Sequence, residues 1–345
     1  VKSMEPFYSN VSCKGRHDLQ EDRGVALIGS AASVEFEVRT DIVILYLQSD
    51  FNHGNSFVIT INGLYQGRFL LSDDKVQDIR IGLPMGQTSK IGIFKATEAA
   101  TGNLFVRAIE SKTPLSIVPK RSKTIEFIGN SITCGAAADT RTIPCGTAYY
   151  HDQHNAYLAY GPRIARALDT DYFLSSVSGI GIYRNWNDEH EKEPIMPEVY
   201  ENLYLNGPAN KPYSFQLQPD LVSICLGTND LSAGDGIKER LPFNRAAFVS
   251  NYVAFVKTVR GHYPNTPILL LSSPIVHGEN HKILVECLNE IKNILGPDIE
   301  VDIFDLEPFT ASGCTGHPSI EDHQRIAEAL IPTFESMLAN TRAQK

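Results

Sequence analysis

The chain has 345 residues, of which 42% are hydrophobic and 21% are charged. These values are typical of a folded protein of about two domains, and they exclude the disordered, collagen-like and low-complexity classes. The formal net charge of −9 disfavours a phosphate backbone as a partner, and no window approaches the run of about 20 apolar residues that a membrane-spanning helix needs. We therefore expect neither a nucleic-acid partner nor a membrane span.

The first third of the chain has an apolar period of two. Val34, Phe36 and Val38 alternate with polar neighbours, and the same alternation continues to residue 112 between turn sequences such as Asn62-Gly63. This pattern predicts an antiparallel β-sandwich, which we assign to residues 1–115.

The second part of the chain alternates between two patterns. Short apolar runs, typical of buried parallel strands, occur at 123–128, 172–177, 221–226, 268–271 and 301–304. Between and after them, apolar residues recur at spacings of three and four, and the last such segment opens with a capping sequence from Ser319 to Asp322. The alternation predicts a three-layer, doubly wound α/β domain over residues 122–345, with the boundary near 113–122.

The six cysteines are scattered and form no CxxC pair. This spacing argues against a zinc cage or a disulfide-dense scaffold. A single bridge involving Cys134 or Cys145, or free thiols throughout, both fit the sequence.

In an open parallel sheet the ligand lies beyond the carboxyl ends of the strands. After the first predicted strand of this sheet comes Gly129-Asn130-Ser131-Ile132-Thr133, where a sharp turn would expose the Ser131 hydroxyl as a nucleophile. After the second comes Ser178-Gly179, whose Gly179 amide is a candidate hydrogen-bond donor. Each segment also has a purely structural interpretation, as a helix N-cap at Ser131 and a simple turn at Gly179.

Two later segments carry further polar groups. Gly227-Thr228-Asn229-Asp230 follows the third strand, and the Asn229 amide can donate to a developing oxyanion. Gly316-His317-Pro318 precedes the last helix, and its imidazole can act as a general base near pH 7. Alone, Asn229 suits a structural turn and His317 an ordinary surface site. Together, the order Ser, Gly, Asn, His along the α/β half predicts one catalytic site.

These four segments resemble the motif blocks of the SGNH (GDSL-type) hydrolases, with Asn130 where the commonest form has Asp. Three stretches narrow the resemblance to carbohydrate esterase family 2, whose acetyl xylan esterase-like members join a jelly-roll to an SGNH domain: Lys14-Gly15-Arg16, residues 129–135 and residues 178–185. The resemblance implies Ser131 as nucleophile and His317 as base. It also implies an oxyanion hole made by the amides of Ser131 and Gly179 and the side chain of Asn229, with no metal and no cofactor.

The chain departs from the usual SGNH pattern at one position. Most members have an Asp three residues before the His, and here that residue is Cys314, followed by Thr315. A backbone carbonyl can orient the ring instead, so we predict a Ser-His dyad, as in some family 2 members. The alternative is that Asp305 or Glu307 supplies the carboxylate.

Other candidates have weaker support. Tyr183 and Trp186 follow the Gly179 loop and are candidate substrate-binding aromatics, Tyr183 being favoured by the family resemblance, although such residues also serve simple packing. The spacings His151 to His154 and His277 to His281 could hold a metal only with a third ligand. We expect hydrogen-bonded loop histidines at both places.

The resemblance implies an acetyl esterase acting on plant polysaccharides or oligosaccharides such as xylan or mannan. Two alternatives stay open: a carbohydrate-binding protein with an inactive SGNH half, and a lipid or thioester hydrolase of the wider GDSL group. Because polysaccharides do not enter cells readily, we expect a periplasmic or secreted protein. Residue 1 is Val and no signal peptide is visible, so we expect a processed or trimmed N terminus.

Overall fold

A computed structural model of the protein describes residues 7–207 and 211–341. The outermost residues of both predicted domains, 1–6 and 342–345, lie outside the described residues. Two five-stranded antiparallel sheets precede one five-stranded parallel sheet with helices on both faces. This architecture confirms the predicted β-sandwich followed by a doubly wound α/β fold.

The sandwich is formed by the first ten strands. One sheet has the strand order β1-β4-β9-β6-β7 and the other the order β2-β3-β10-β5-β8. The strands are β1 (Ser12–Lys14), β2 (His17–Gln20), β3 (Gly24–Leu27), β4 (Ser33–Val38), β5 (Ile42–Ser49), β6 (Asn55–Ile61), β7 (Leu64–Leu71), β8 (Gln77–Gly82), β9 (Ser89–Lys95) and β10 (Leu104–Ser111). Alternate apolar residues such as Val34, Phe36, Leu45 and Ile93 fill the space between the sheets.

The parallel sheet has the order β12-β11-β13-β14-β15. Its strands are β11 (Thr124–Gly129), β12 (Asp171–Ser176), β13 (Leu221–Cys225), β14 (Ile268–Leu271) and β15 (Val301–Phe304), and each lies within one residue of its predicted position. The helices are α1 (Tyr160–Ala167), α2 (Met196–Val199), α3 (Thr228–Leu231), α4 (Arg245–His262), α5 (Gly278–Leu295) and α6 (Ile320–Asn340).

Two apolar cores cover the two faces of the parallel sheet. Ile224 and Leu270 pack with residues of α4 and α5 on one face, whereas Phe127 and Leu269 pack with residues of α1 and α6 on the other. Successive strand residues therefore point to opposite cores, which explains why these strands are apolar throughout. Helix α6 begins as predicted: the Ser319 side chain accepts from the Asp322 amide, and the Asp322 carboxylate accepts from the Ser319 amide.

The sandwich packs directly against the α/β half. Strand β10 ends at Ser111 and β11 begins at Thr124, on either side of the predicted boundary. Arg16, just after β1, is fully buried, and its guanidinium donates to the backbone carbonyls of Tyr200 and Asn202. Among the described residues, no helix combines the length and the apolar composition needed to cross a bilayer.

Candidate active site

The strand order of the parallel sheet places a crevice between two of its loops. Counted from its first strand, the order is 2-1-3-4-5, and the connections after β11 and β13 leave the sheet at this switch point. Ligands of open α/β sheets bind in such a crevice. Ser131 follows β11 and Asn229 lies in α3 directly after β13, so both face the crevice from their strand ends.

Ser131 and His317 meet across this crevice. The Ser131 Oγ lies 3.1 Å from the His317 Nε2, although the two residues are 186 positions apart in the chain. The turn around Ser131 is held locally, because the Asn130 side-chain oxygen accepts from the Ile132 amide at 3.0 Å. Ser131 is 7% exposed, which keeps its hydroxyl at the floor of the crevice.

His317 is oriented by its own backbone turn. Its Nδ1 lies 3.0 Å from the carbonyl oxygen of Thr315, within a short helical turn over Cys314–Gly316 in which Thr315 has a φ of 52°. Donation from Nδ1 to this carbonyl fixes the proton on Nδ1 and leaves the Nε2 lone pair facing Ser131. Burial lowers the pKa of His317 below its usual range, and the nearby His154 adds to this effect.

A disulfide bond ties the His317 turn to another loop. Cys314 pairs with Cys145, so of the two alternatives left open by the sequence the structure shows a single bridge, through Cys145, whereas Cys134 is a buried free thiol. Burial raises the pKa of the Cys134 thiol, whose sulfur lies close to the Ser176 hydroxyl. The position that usually holds the orienting Asp therefore holds a covalent link.

Of the three predicted hydrogen-bond donors, Ser131 and Asn229 line the crevice with His317, and Gly179 lies in the loop that the Asn229 side chain contacts. The Asn229 side chain uses one N–H to donate to the Ile180 carbonyl at 2.8 Å, which leaves its second N–H available. Gly179 has a φ of 76°, a conformation that favours glycine. Within the part of the chain that the structure describes, the backbone amides of Ser131 and Gly179 donate to no other protein group. These free donors are the groups that the sequence predicts for an oxyanion hole.

The loop that follows Gly179 is shaped by Asp230. The Asp230 carboxylate is fully buried and accepts from the amides of Ile182 and Tyr183 at 2.9 to 3.1 Å. Burial raises the pKa of Asp230 to about 6, despite these donors. A side chain at Gly181 would collide with the Arg184 carbonyl and with Asp230, so only glycine fits there. Through these contacts Asn229 and Asp230 connect the segment after β13 to the loop that follows Gly179.

The two candidate aromatic residues have different surroundings. Trp186 is 46% exposed and, together with Ser131, Asn229 and His317, lines a cleft of about 310 Å³. Tyr183 points away from that lining: its ring packs beside Phe243 and its hydroxyl accepts from the Asn244 amide. The structure thus brings Trp186, but not Tyr183, to the cleft.

The remaining histidines and acids have other partners. His151 contacts the His53 carbonyl, and His281 lies 3.0 Å from the Asp305 carboxylate, which also accepts from the Ser272 hydroxyl. Asp305 is therefore engaged away from the His317 ring. Over residues 7–207 and 211–341, no cluster of three or more His, Cys, Asp or Glu side chains is placed to hold a metal ion.

Two polar residues of this region were missed by the sequence reasoning. The Tyr150 hydroxyl lies 3.0 Å from the His317 Nε2, and the buried Glu98 accepts from the Ser178 amide at 2.9 Å. Neither residue belongs to one of the four segments, and Glu98 comes from the sandwich. A tyrosine in a loop and a glutamate after a strand carry no local signal of such a role.

The comparisons with known proteins agree with this fold. Residues 127–296 match the GDSL-like Lipase/Acylhydrolase family. An acetylxylan esterase / glucomannan deacetylase of Cellvibrio japonicus is 32% identical over 227 residues, which are 64% of this chain and 61% of that protein. A second Cellvibrio japonicus protein of the same description is 24% identical, over 95% of this chain and 89% of that protein.

A solved structure extends the similarity to nearly the whole chain. A family two carbohydrate esterase from Clostridium thermocellum, in complex with cellohexaose, superposes with a TM-score of 0.84 at 23% identity, covering 95% of this chain and 99% of that one. Residues 127–296 are therefore similar to the GDSL-like lipase/acylhydrolases, and the chain has the fold of the family two carbohydrate esterases.

Proposed function

We propose that this protein is a carbohydrate O-deacetylase that removes acetyl groups from plant polysaccharides or oligosaccharides such as xylan or mannan through a Ser131-His317 dyad. The observation that carries the proposal is the 3.1 Å contact between the Ser131 Oγ and the His317 Nε2 in a cleft that the Asn229 side chain also lines. The Cellvibrio japonicus relatives, described as acetylxylan esterases and glucomannan deacetylases, support the substrate class.

The proposed reaction begins with transfer of the Ser131 proton to the His317 Nε2 while the Oγ attacks the acetyl carbonyl. The carbonyl oxygen becomes an anion held by the amides of Ser131 and Gly179 and by the Asn229 side chain. Nε2 then gives the proton to the departing sugar oxygen, and water hydrolyses the acetyl-enzyme by the same route in reverse. Each such donor contributes about 3 to 4 kcal/mol in comparable sites, which makes the oxyanion hole the largest contribution to the rate.

The cleft lining supports a sugar ester over a fatty acyl ester. Its walls mix apolar residues with hydroxyl, amide and imidazole groups, among them Thr228, Ser232, His277 and Asn280. Such polar groups suit the hydroxyls of a sugar, whereas a fatty acyl chain needs a continuous apolar groove. The exposed face of Trp186 at the cleft offers a stacking surface for a sugar ring.

The test is release of acetate from acetylated xylan and acetylated glucomannan by the parent protein and by Ser131→Ala. We expect the variant to lose at least a thousandfold in kcat, whereas Ser214→Ala, at an exposed serine away from the cleft, retains parental activity. Equal rates in the parent and Ser131→Ala would favour the carbohydrate-binding alternative. Faster hydrolysis of octanoyl than of acetyl nitrophenyl esters would favour the lipid hydrolase.

The dyad has its own test. Asp305 already pairs with His281 and Ser272, so we propose that Asp305→Asn and Glu307→Gln each change kcat by less than about tenfold. The Thr315 carbonyl keeps the His317 tautomer in both variants. A fall of about a thousandfold in either variant would identify a third triad member instead.

We also propose that the protein works outside the cytoplasm. The Cys145–Cys314 disulfide supports this location, because such bonds persist in oxidising compartments and are rare in the cytosol. The measurement is the thiol content of the protein in cell and medium fractions of its producing organism. Fully reduced cysteines in a cytosolic pool would contradict the proposal.

A further inference from the structure

A line of polar groups runs from the Ser131-His317 pair into the β-sandwich. Glu98 lies in the connection between β9 and β10 and is 1% exposed. Its carboxylate accepts from the Ser178 amide at 2.9 Å, from the His154 Nε2 at 2.7 Å and from the Ser178 hydroxyl. The Tyr150 hydroxyl then lies between the Ser178 Oγ, at 3.3 Å, and the His317 Nε2, at 3.0 Å.

The directions of the inner hydrogen bonds in this line can be derived from the contacts of His154 and Glu98. The His154 Nδ1 accepts from the Ala137 amide at 3.1 Å, so the His154 proton is on Nε2 and is donated to Glu98. The Ser178 hydroxyl also donates to Glu98, because an ionised carboxylate only accepts. Its oxygen is then free to accept from Tyr150, and the Tyr150 oxygen can accept from the His317 Nε2 once that nitrogen is protonated.

Glu98 is held as an anion at the inner end. Burial would raise the pKa of Glu98, but the hydrogen bonds from His154 and Ser178 outweigh it and keep the pKa below the usual range. Lys95 fixes the same turn, since its buried ammonium group donates to the backbone carbonyls of Ile28 and Glu98. A buried charge of this kind acts over a longer distance than an exposed one, because less water screens it.

We infer that Glu98, Ser178 and Tyr150 form a relay that stabilises the protonated state of His317, in place of the carboxylate that this chain lacks beside the imidazole. Tyr150 touches the reacting nitrogen, whereas Glu98 and Ser178 act through it as positioning residues. The inference rests on the proposed function, because it assigns the groups that assist the proposed base. It also makes the β-sandwich part of the active centre rather than a separate module.

No proton passes along the relay, because Tyr150 and Ser178 keep their own protons throughout the reaction. When His317 takes the proton from Ser131, the new Nε2–H is shared between the departing sugar oxygen and the Tyr150 oxygen. The Tyr150 proton stays on the Ser178 side, and the Ser178 proton stays on Glu98. Each hydroxyl dipole therefore points its negative end toward the imidazolium, and the line ends on a full negative charge.

The opposite orientation has the opposite consequence. If the Tyr150 hydroxyl donated to the His317 Nε2, it would compete with Ser131 for the single lone pair and stabilise the neutral ring. Removing that hydroxyl would then raise the pKa of His317 and speed the reaction. The sign of the change on removing one oxygen atom thus separates the two arrangements.

The experiment compares Tyr150→Phe and Ser178→Ala with the parent protein. Tyr150→Phe removes the outer link, and Ser178→Ala removes the middle link while keeping the backbone amide that Glu98 binds. Tyr149→Phe is the matched control. The Tyr149 ring stacks on His53, whereas the contact with the His317 Nε2 is made by Tyr150. The measurements are kcat/KM for nitrophenyl acetate against pH, and the pKa of the His317 ring by nitrogen NMR.

The charged and titratable groups near His317 are Glu98 and His154 from the relay, Tyr150 itself, His277 across the cleft and the buried His323 of α6. All of these groups remain in Ser178→Ala, and Tyr150→Phe removes only the Tyr150 hydroxyl. We expect both variants to lower the plateau of kcat/KM about tenfold, which equals about 1.4 kcal/mol, and to move the acid limb about half a unit to lower pH.

The outcomes distinguish the relay from the proposed function. An active parent whose kcat/KM and His317 pKa are unchanged in both variants would overturn the relay, and so would a raised His317 pKa in Tyr150→Phe. A parent without esterase activity would overturn the proposed function. The His317 pKa would then still test the relay, with a lower value in both variants supporting it and an equal or higher value refuting it.

Discussion

The Cys145–Cys314 disulfide is expected to stabilise the fold far more than it assists the chemistry. It joins residues 169 positions apart, and closing a loop of that length in the unfolded chain corresponds to about 5 kcal/mol at 25 °C. With an unfolding entropy of about 2.1 cal/mol/K per residue over the chain, this free energy corresponds to a fall of about 7 °C in Tm when the bond is removed.

The turn that carries His317 keeps its other supports without the bond. The Gly313 amide donates to the His317 carbonyl at 2.8 Å, and the Cys314 amide donates to the Ala137 carbonyl at 2.9 Å. We therefore expect Cys145→Ala to lower kcat by less than about tenfold at a temperature where the variant is folded. Cys145 is exposed, so its replacement leaves no internal cavity and a reductant can reach the bond.

The assay is thermal unfolding of the parent and of Cys145→Ala, each with and without dithiothreitol, alongside acetate release at 25 °C. Reductant should lower the parent Tm to that of the variant and leave the variant unchanged, which controls for other effects of the reagent. An unchanged parent Tm after verified reduction would refute the stability argument. A thousandfold loss of kcat in folded, reduced protein would show that the bond positions His317.

Three further predictions concern the site and its support. Asn229→Ala should lower kcat by about a hundredfold to a thousandfold with little change in KM, since the amide is expected to bind the oxyanion only in the transition state; an equal loss in binding of a substrate analogue would contradict this. Because burial lowers the pKa of His317, this proposed base stays deprotonated to lower pH, and the midpoint of the acid limb of kcat/KM should lie below about pH 6.5; a midpoint above pH 7 would contradict the direction of the pKa shift. Arg16→Met should lower the free energy of unfolding by about 3 to 5 kcal/mol in urea titration, because the buried carbonyls of Tyr200 and Asn202 lose their donor; a loss below 1 kcal/mol would mean that these groups find new partners.

The sequence predicted those parts of the fold that have a periodic signal. Five apolar runs became the five parallel strands, and the cap at Ser319 marked the start of α6, because burial on both faces and helix capping both leave local patterns. The candidate residues Ser131, Asn229 and His317 could be proposed for the same reason. Each stands at a strand end or ahead of a helix, and parallel sheets bring such positions to one edge.

The parts that the sequence did not predict depend on how distant segments pack. Cys145 and Cys314 are 169 residues apart, Tyr150 and His317 are 167 apart, and Glu98 and Ser178 are 80 apart. Contacts of this kind follow from the packing of whole sheets and loops, and no spacing in the sequence predicts them. Tyr183 and Trp186 illustrate the same limit, since both follow one loop but only Trp186 lines the cleft.

The way the sandwich joins the α/β half argues against treating it as a detachable module. Its contacts with the α/β half include the fully buried guanidinium of Arg16 and the partly buried ammonium of Lys14, which lies 2.7 Å from the Asp171 carboxylate. A transient interface would leave such groups solvated, because burying a charge without a permanent partner costs several kcal/mol. Cutting the chain near residue 122 would remove Arg16 and Glu98 together, and with them one support of the core and one of the Gly179 loop. The α/β half alone should therefore lack both the stability and the ordered site of the whole chain.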